Sequence, residues 1–158
     1  MKVEEKLEQL ALVLPEPLEP PPGVRLPFAF ARVDGGRAHF SGHGPQAPDG
    51  SFAFQGKLGA DLSIDEGYEA ARLTGLSILG TLKRELGDLD RVTGWLRIFG
   101  MVNSAPGFTD QPAVINGFSD LILELYGPEA GRHTRSAVGM AELPWGIAVE
   151  IEGEAAID

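Results

Sequence analysis

The sequence predicts an α+β fold in which two long helices pack on one face of a β-sheet. Two observations lead to this prediction: the chain carries two long amphipathic segments with helical spacing, and shorter segments of β-strand character stand between and around them. The predicted order is a short helix followed by β-β-β-α-β-α-β-β. With 158 residues the chain is long enough to form one domain with a substantial core.

The N-terminal part is predicted to be an appendage to this domain. Apolar residues recur there at steps of four, three and four, namely Val3, Leu7, Leu10 and Leu14. This spacing is typical of a short amphipathic helix. The prolines of PEPLEPPPG, residues 15–23, favour an extended connector. We therefore expect a helix and connector over residues 1–23 and a single domain over residues 24–158.

The first half of the domain is predicted to begin with a β-hairpin. Two runs of strand character, residues 27–33 and 37–42, flank Asp34-Gly35-Gly36, whose glycines suit a tight turn. The stretch FAFQGKLG, residues 52–59, has weaker strand character and gives the third predicted strand. Together these segments supply three of the strands.

The middle of the chain shows clear helix boundaries. Residues 63–66, Ser-Ile-Asp-Glu, form a capping box at the start of the first long helix, and Gly87 is suited to end it. The second helix is expected to begin near Pro112 and to end at Gly127. Between them, residues 91–102 are apolar on both alternating sets, which is typical of a central strand covered on two sides.

The last segment, HTRSAVGMAELPWGIAVEIE over residues 133–152, is predicted to form two strands joined by a tight turn. Alternation places Arg135 on the same face as Ala137 and Gly139, so there is space around the guanidinium for an anion. On the second strand, Glu150 faces away from the apolar set. The plain alternative is that both charged residues simply face solvent.

Composition limits the class of partner. The formal net charge is −10 and the pI is about 4.7, which works against binding to nucleic acid or to an anionic membrane. We therefore expect a small solute as the partner. The chain has no cysteine, which excludes disulfides and a thiolate nucleophile. It shows neither a signal-peptide pattern nor an apolar run of about 20 residues, so a soluble, cytoplasmic protein is expected.

No motif predicts a metal or a cofactor. His39 and His43 would lie ~13 Å apart along a strand, too far to share an ion. The glycine-rich stretches lack the frames that bind phosphates. Ser41 does not stand in a nucleophile elbow, and a histidine such as His133 is more often a surface residue than a catalyst. We expect neither a metal nor a cofactor.

Three motifs resemble the YjgF/RidA family of reactive-intermediate deaminases, also described as endoribonuclease L-PSP-like. They are SGHGP at 41–45, VINGF at 114–118 and RSAVGMAELPWGIAVEIE at 135–152. The resemblance extends from about Pro27 to Glu152. It implies a chorismate-mutase-like fold that assembles as a homotrimer, with the sheets facing inward and three clefts between subunits.

The same resemblance implies a chemistry and a set of site residues. Arg135 takes the place of the family arginine that binds the substrate carboxylate, and Glu150 that of a glutamate that positions or activates water. Ser41 and Asn116 match further pocket residues. The implied reaction is the hydrolysis of an enamine or imine, such as 2-iminobutanoate, to a 2-keto acid and ammonia without a cofactor.

Several positions depart from the family pattern. Phe28 stands where active deaminases usually have a tyrosine, His43 stands where glutamine is frequent, and Ala137 replaces a frequent cysteine. Together with the N-terminal extension, these residues resemble a longer branch of the family. Phe28 and Ala137 favour a second hypothesis, a non-catalytic module that binds small carboxylates. A third, a ribonuclease or translation inhibitor, is disfavoured by the acidic charge and the lack of a basic patch.

Overall fold

The computed structural model describes residues 2–158, which form three α-helices and one five-stranded sheet. In chain order the elements are α1 (Lys2–Gln9), β1 (Ala31–Asp34), β2 (Arg37–His43), α2 (Ile64–Leu86), β3 (Val92–Asn103), α3 (Gln111–Ala130), β4 (Thr134–Met140) and β5 (Val149–Ile157). The strand order is β1-β2-β5-β3-β4, with β3 and β4 parallel and the other pairs antiparallel. This confirms the predicted α+β fold.

Both predicted boundaries of α2 are confirmed. The Ser63 hydroxyl accepts from the Glu66 amide at 3.2 Å, and the Glu66 carboxylate accepts from the Ser63 amide at 3.1 Å. Gly87 ends the helix with φ 81°. In α3 the helical backbone breaks at Gly127, also with φ 81°, and Pro128 begins a last turn. The two helices approach so closely that a Cβ on Gly117 would collide with the Tyr68 carbonyl oxygen.

The predicted third strand is wrong. Residues 52–59 form only isolated bridges, including Gln55 with Ile147. Phe54 and Gly56 have φ values of 56° and 134°, so the backbone cannot remain extended through this segment. It is a loop that packs against the turn before β5.

The predicted closing hairpin is also wrong, because β4 and β5 do not pair with each other. They lie on opposite sides of β3, with Ile98 opposite Arg135 on one side and Met101 opposite Glu150 on the other. The LPWG stretch contains a short 3₁₀ turn over Pro144–Gly146. Since α3 crosses over between β3 and β4, those two strands are parallel, and the chain must then pass over β3 to reach β5.

The N-terminal helix is shorter than its apolar spacing predicted. It ends at Gln9 and not at Leu14, and Ala11 has φ 54°. Val3 and Leu7 are 5% and 4% exposed and belong to the main core. None of the helices in the described part of the chain is long and apolar enough to cross a membrane.

The helices cover one face of the sheet and leave the other open. Val149 and Ile151 of β5 are fully buried toward the helices, whereas Glu150 between them points to the open face. On that open face, the Arg97 guanidinium lies 5.7 Å from the centre of the Phe99 ring. The sheet therefore presents two chemically distinct surfaces.

Candidate functional site

Arg135 lies at the edge of the sheet and faces α3. Its β3 neighbour is Ile98, which is fully buried toward the helices. The guanidinium donates to the Ser119 hydroxyl at 2.9 Å, to the Asn116 side-chain oxygen at 2.9 Å and to the Pro112 carbonyl at 3.2 Å. All three acceptors are uncharged, so they orient the guanidinium without neutralising it. Burial lowers the pKa of Arg135 from its usual value, and an arginine remains charged at neutral pH.

His133 and Ser119 support this arginine. His133 Nδ1 lies 2.8 Å from the Gly131 carbonyl, which can only accept, so Nδ1 carries the hydrogen. In the neutral ring Nε2 then accepts from the Ser119 hydroxyl at 2.9 Å, leaving the Ser119 oxygen to accept from Arg135. Burial, followed by the charge of Arg135, lowers the pKa of His133. Ser119 is a site residue that no sequence motif predicted, although its place three residues after Asn116 puts both on one helix face.

A cavity of about 580 Å³ lies beside the start of β5. Three predicted site residues line it: Phe28, His43 and Glu150. Its remaining walls come from the connector, the loops around Phe52 and Trp145, and one side of α2. The complete lining is Pro17, Leu18, Leu26, Phe28, Ala29, Phe30, Ala31, Gly42, His43, Gly44, Gln46, Phe52, Thr81, Arg84, Glu85, Pro144, Trp145, Ile147 and Glu150.

The Glu150 carboxylate occupies the space that Gly42 leaves by lacking a side chain. A Cβ on Gly42 would lie 2.9 Å from the carboxylate carbon of Glu150. Burial, followed by the nearby charge of Glu152, raises the pKa of Glu150. A carboxylate with a raised pKa is a stronger base than an ordinary one.

His43 is buried and both of its ring nitrogens are occupied. Nδ1 lies 2.5 Å from the Ser41 carbonyl oxygen, so it is the donor there. Nε2 then accepts from the Thr81 hydroxyl at 2.8 Å, and the Thr81 oxygen accepts from Arg84 at 3.3 Å. Burial is the main cause that lowers the pKa of His43 to about 4. His43 thus contributes a neutral ring surface to the cavity, and the Ser41 hydroxyl donates to the Ala29 carbonyl at 2.8 Å.

Within a single subunit, the predicted site residues Arg135 and Glu150 do not lie together. Arg135 and Glu150 lie opposite Ile98 and Met101, which are three positions apart on β3 and therefore point to opposite faces of the sheet. The structure places Asn116 with Arg135, and Phe28 and His43 with Glu150. These are two separate clusters, which we call the arginine edge (Arg135, Asn116, Ser119, His133) and the glutamate cavity (the cavity lined by Glu150).

Three carboxylates at the N-terminal helix lie close enough to share an ion, with oxygens within 4.8 Å of one another: Glu4, Asp88 and Asp90. Each of these carboxylates already accepts hydrogen bonds or pairs with a cation. Glu4 accepts from the Lys83 ammonium at 2.8 Å and from the Leu89 amide at 3.1 Å, and Asp90 accepts from the amide of Val3 at 3.0 Å. This arrangement explains how α1 is held in place.

Comparisons with known proteins agree with this architecture. The family model described as "YjgF/chorismate mutase-like, putative endoribonuclease" matches residues 27–147. Protein TCP17 of Trypanosoma cruzi is 44% identical over 138 residues, which cover 82% of this chain and 86% of that protein.

Two solved structures cover almost the whole chain. Atu1372 of Agrobacterium tumefaciens, a protein of unknown function, is 36% identical with a TM-score of 0.88, over 99% of this chain and 92% of that one. A candidate endoribonuclease of Shewanella oneidensis is 31% identical with a TM-score of 0.89, over 99% of this chain and 100% of that one.

Proposed function

Because the chain belongs to the YjgF/chorismate-mutase-like family, we propose that it hydrolyses reactive enamine or imine derivatives of amino acids to 2-keto acids and ammonia. The reaction takes place between subunits of a homotrimer. The observation that carries this proposal is the charged Arg135 at the sheet edge, whose hydrogen-bond acceptors are all uncharged, combined with a half-buried Glu150 on the opposite face.

Arg135 is suited to anchor the carboxylate of the substrate. Its three hydrogen bonds to uncharged oxygens fix the plane of the guanidinium. A guanidinium has about five N–H donors in a planar fork, so some remain for a ligand. Charge-assisted, paired hydrogen bonds to both carboxylate oxygens would orient the imine carbon beyond the edge of β4.

Two copies of the chain are needed to complete such a site. Arg135 and Glu150 face away from each other within one subunit, and β4 has a free edge. Phe28 and Trp145 at the cavity mouth are 52% and 41% exposed, which is unusual for large aromatic side chains. An assembly that places the arginine edge of one subunit over the glutamate cavity of the next satisfies both observations.

Glu150 would serve as the base for water. Protonation of the imine nitrogen makes its carbon electrophilic, and water adds while Glu150 accepts a proton. The π electrons of the C=N bond move to nitrogen and give a carbinolamine. Glu150 then returns the proton to nitrogen, the C–N bond breaks with its electrons, and ammonia leaves while the hydroxyl gives its proton to the Glu150 carboxylate and becomes the keto group. The raised pKa of Glu150 favours the first transfer, in which the carboxylate accepts a proton from water.

The test is competition for 2-iminobutanoate, generated in place by a threonine dehydratase, with semicarbazide as the trap. We expect the wild type to divert the imine to 2-oxobutanoate. Arg135→Ala should lower this activity by about 10- to 100-fold, because a charge-assisted hydrogen-bond pair is lost. Arg132→Ala, an exposed arginine close by, is the control. Binding of 2-oxobutanoate without any acceleration of imine hydrolysis would instead support the non-catalytic hypothesis.

A further inference from the structure

The glutamate cavity is much larger than a small imine requires. The imine of alanine carries only a methyl group beyond the reacting carbon, whereas the cavity measures about 580 Å³. Volumes of about 300–1,000 Å³ are typical of pockets that enclose drug-sized ligands. Most of the lining is apolar, and Phe28, Phe30, Phe52 and Trp145 supply much of it. The cavity therefore has room for a large apolar group next to Glu150.

One wall is made by a part of the chain that precedes the family match. Pro17, Leu18 and Leu26 line the cavity, and all three come before residue 27, where the match begins. We call residues 15–26 the strap. It gives this chain a cavity wall that the matched region does not contain.

The strap is held by hydrogen bonds at its first two residues. The Glu16 amide donates to the Pro48 carbonyl at 3.0 Å, and Arg84 of α2 donates to the Pro15 carbonyl at 3.3 Å. Upstream, α1 is fastened to the core by buried apolar residues and by the ion pair between Lys83 and Glu4 at 2.8 Å. The wall is thus preformed, because the contacts that order it do not involve a ligand.

The opposite wall is an aromatic pair in a fixed position. The rings of Trp145 and Phe52 are stacked with centres 5.5 Å apart. Trp145 has a backbone φ of 53°, a value that residues other than glycine rarely adopt. Gln55 donates to the Trp145 carbonyl at 2.7 Å, and the Gly56 amide donates to the Gly146 carbonyl at 2.8 Å. Strained conformations held in this way are concentrated at ligand-binding sites.

From this geometry we infer that the cavity selects substrates with a bulky apolar side chain: the enamine or imine derivatives of aromatic or long branched amino acids. The inference rests on the proposed function, since Glu150 fixes where the reacting carbon lies. The substrate's side chain fills the space between the strap and the ring of Trp145. Arg135 of the neighbouring subunit holds the carboxylate, which all such substrates share.

The experiment compares the imines that D-amino-acid oxidase produces from D-phenylalanine and from D-alanine, with catalase present and semicarbazide as the trap. We expect kcat/KM to favour the phenylalanine imine by at least about tenfold, since apolar pockets discriminate by such factors. The variants are Trp145→Gly, which suits φ 53°, and Leu18→Ala in the strap. Each should lower the ratio of the two kcat/KM values several-fold, whereas Val13→Ala, 59% exposed and outside the cavity, should not.

Calorimetry with phenylpyruvate and pyruvate separates this inference from the proposed function. If no imine is hydrolysed but phenylpyruvate binds more tightly than pyruvate, and Leu18→Ala removes the difference, the proposed reaction fails and the pocket preference stands. The preference is overturned if both imines are hydrolysed with equal kcat/KM. It is also overturned if each variant changes kcat/KM for the two imines by the same factor. It is also overturned if Trp145→Gly dissociates the assembly, because the ring is then a subunit contact.

Discussion

The arginine edge and the glutamate cavity are built in opposite ways. The edge is small and polar: one guanidinium is held by a hydroxyl, an amide oxygen and a carbonyl. The cavity is large and mostly apolar, and Glu150 faces into it beside aromatic rings. The first is fixed by hydrogen bonds within α3 and β4. The second is fixed by packing between segments far apart in the chain.

This difference indicates a division of tasks. A carboxylate has the same shape in every amino-acid derivative, so one oriented arginine is sufficient to bind it. Side chains differ in size, and a cavity bounded by a separate strap can change its dimensions without moving the reacting groups. Substitutions in one cluster at a time should separate the two tasks.

Replacing Glu150 should have the largest effect on the reaction. We expect Glu150→Gln to lower kcat by about 10²- to 10⁴-fold, the usual range for losing a general base. The raised pKa of this carboxyl means that its ionisation costs stability as pH rises from the ordinary carboxyl range through the raised value. At neutral pH the variant should therefore be at least as stable as the wild type, and this gain should vanish in acid.

The control for this variant is Glu152→Gln. It removes the neighbouring charge that helps to raise the pKa of Glu150. In the profile of kcat/KM against pH, the acid limb should then move to lower pH, and the variant should remain active. An unchanged limb would mean that Glu150 is not the group that titrates.

Because of His43, the free energy of unfolding should fall as the pH becomes acidic. Its folded pKa of about 4 lies below the ordinary value of about 6.5, so the unfolded chain binds a proton first as pH falls. Between these two values the wild type should lose roughly 3 kcal/mol of unfolding free energy. In denaturant titrations, His43→Gln should flatten this dependence.

Removing Ser119 should produce the smallest effect. Ser119→Ala deletes one acceptor for Arg135 and the donor to His133. We expect KM to rise about two- to tenfold with little change in kcat, because one net hydrogen bond that orients the guanidinium is lost. Ser136→Ala, on the opposite face of β4, serves as the control. A fall in kcat alone would show that Ser119 acts in the chemistry and not in binding.

Local signals in the sequence identified much of this molecule. The capping box at Ser63 and the glycine after α2 set the helix boundaries, and alternation placed Arg135 on one face with Ala137 and Gly139. These features depend on residues a few positions apart. The crossover of α3 decides on which side of β3 the strands β4 and β5 lie. No short sequence pattern predicts this long-range connection.

The missed features of the site have the same physical origin. The loop over 52–59 turns at Phe54, and a positive φ at a phenylalanine leaves no signal in composition. The strap follows α1, which is docked on the core, and it lines the cavity through contacts with residues far along the chain. Likewise, the resemblance named Arg135 and Glu150 as site residues, but only the strand order shows that they face apart within one chain.

The central claim is that Arg135 and Glu150 act from different subunits. Its most direct test is to prepare Arg135→Ala and Glu150→Gln separately, unfold them together at equal amounts and refold the mixture. Random assembly restores both intact side chains at about one interface in four, so imine hydrolysis should recover to about a quarter of the wild-type rate. If the mixture is no more active than the average of the two parent variants refolded alone, the two residues do not share a site across subunits and the account is contradicted.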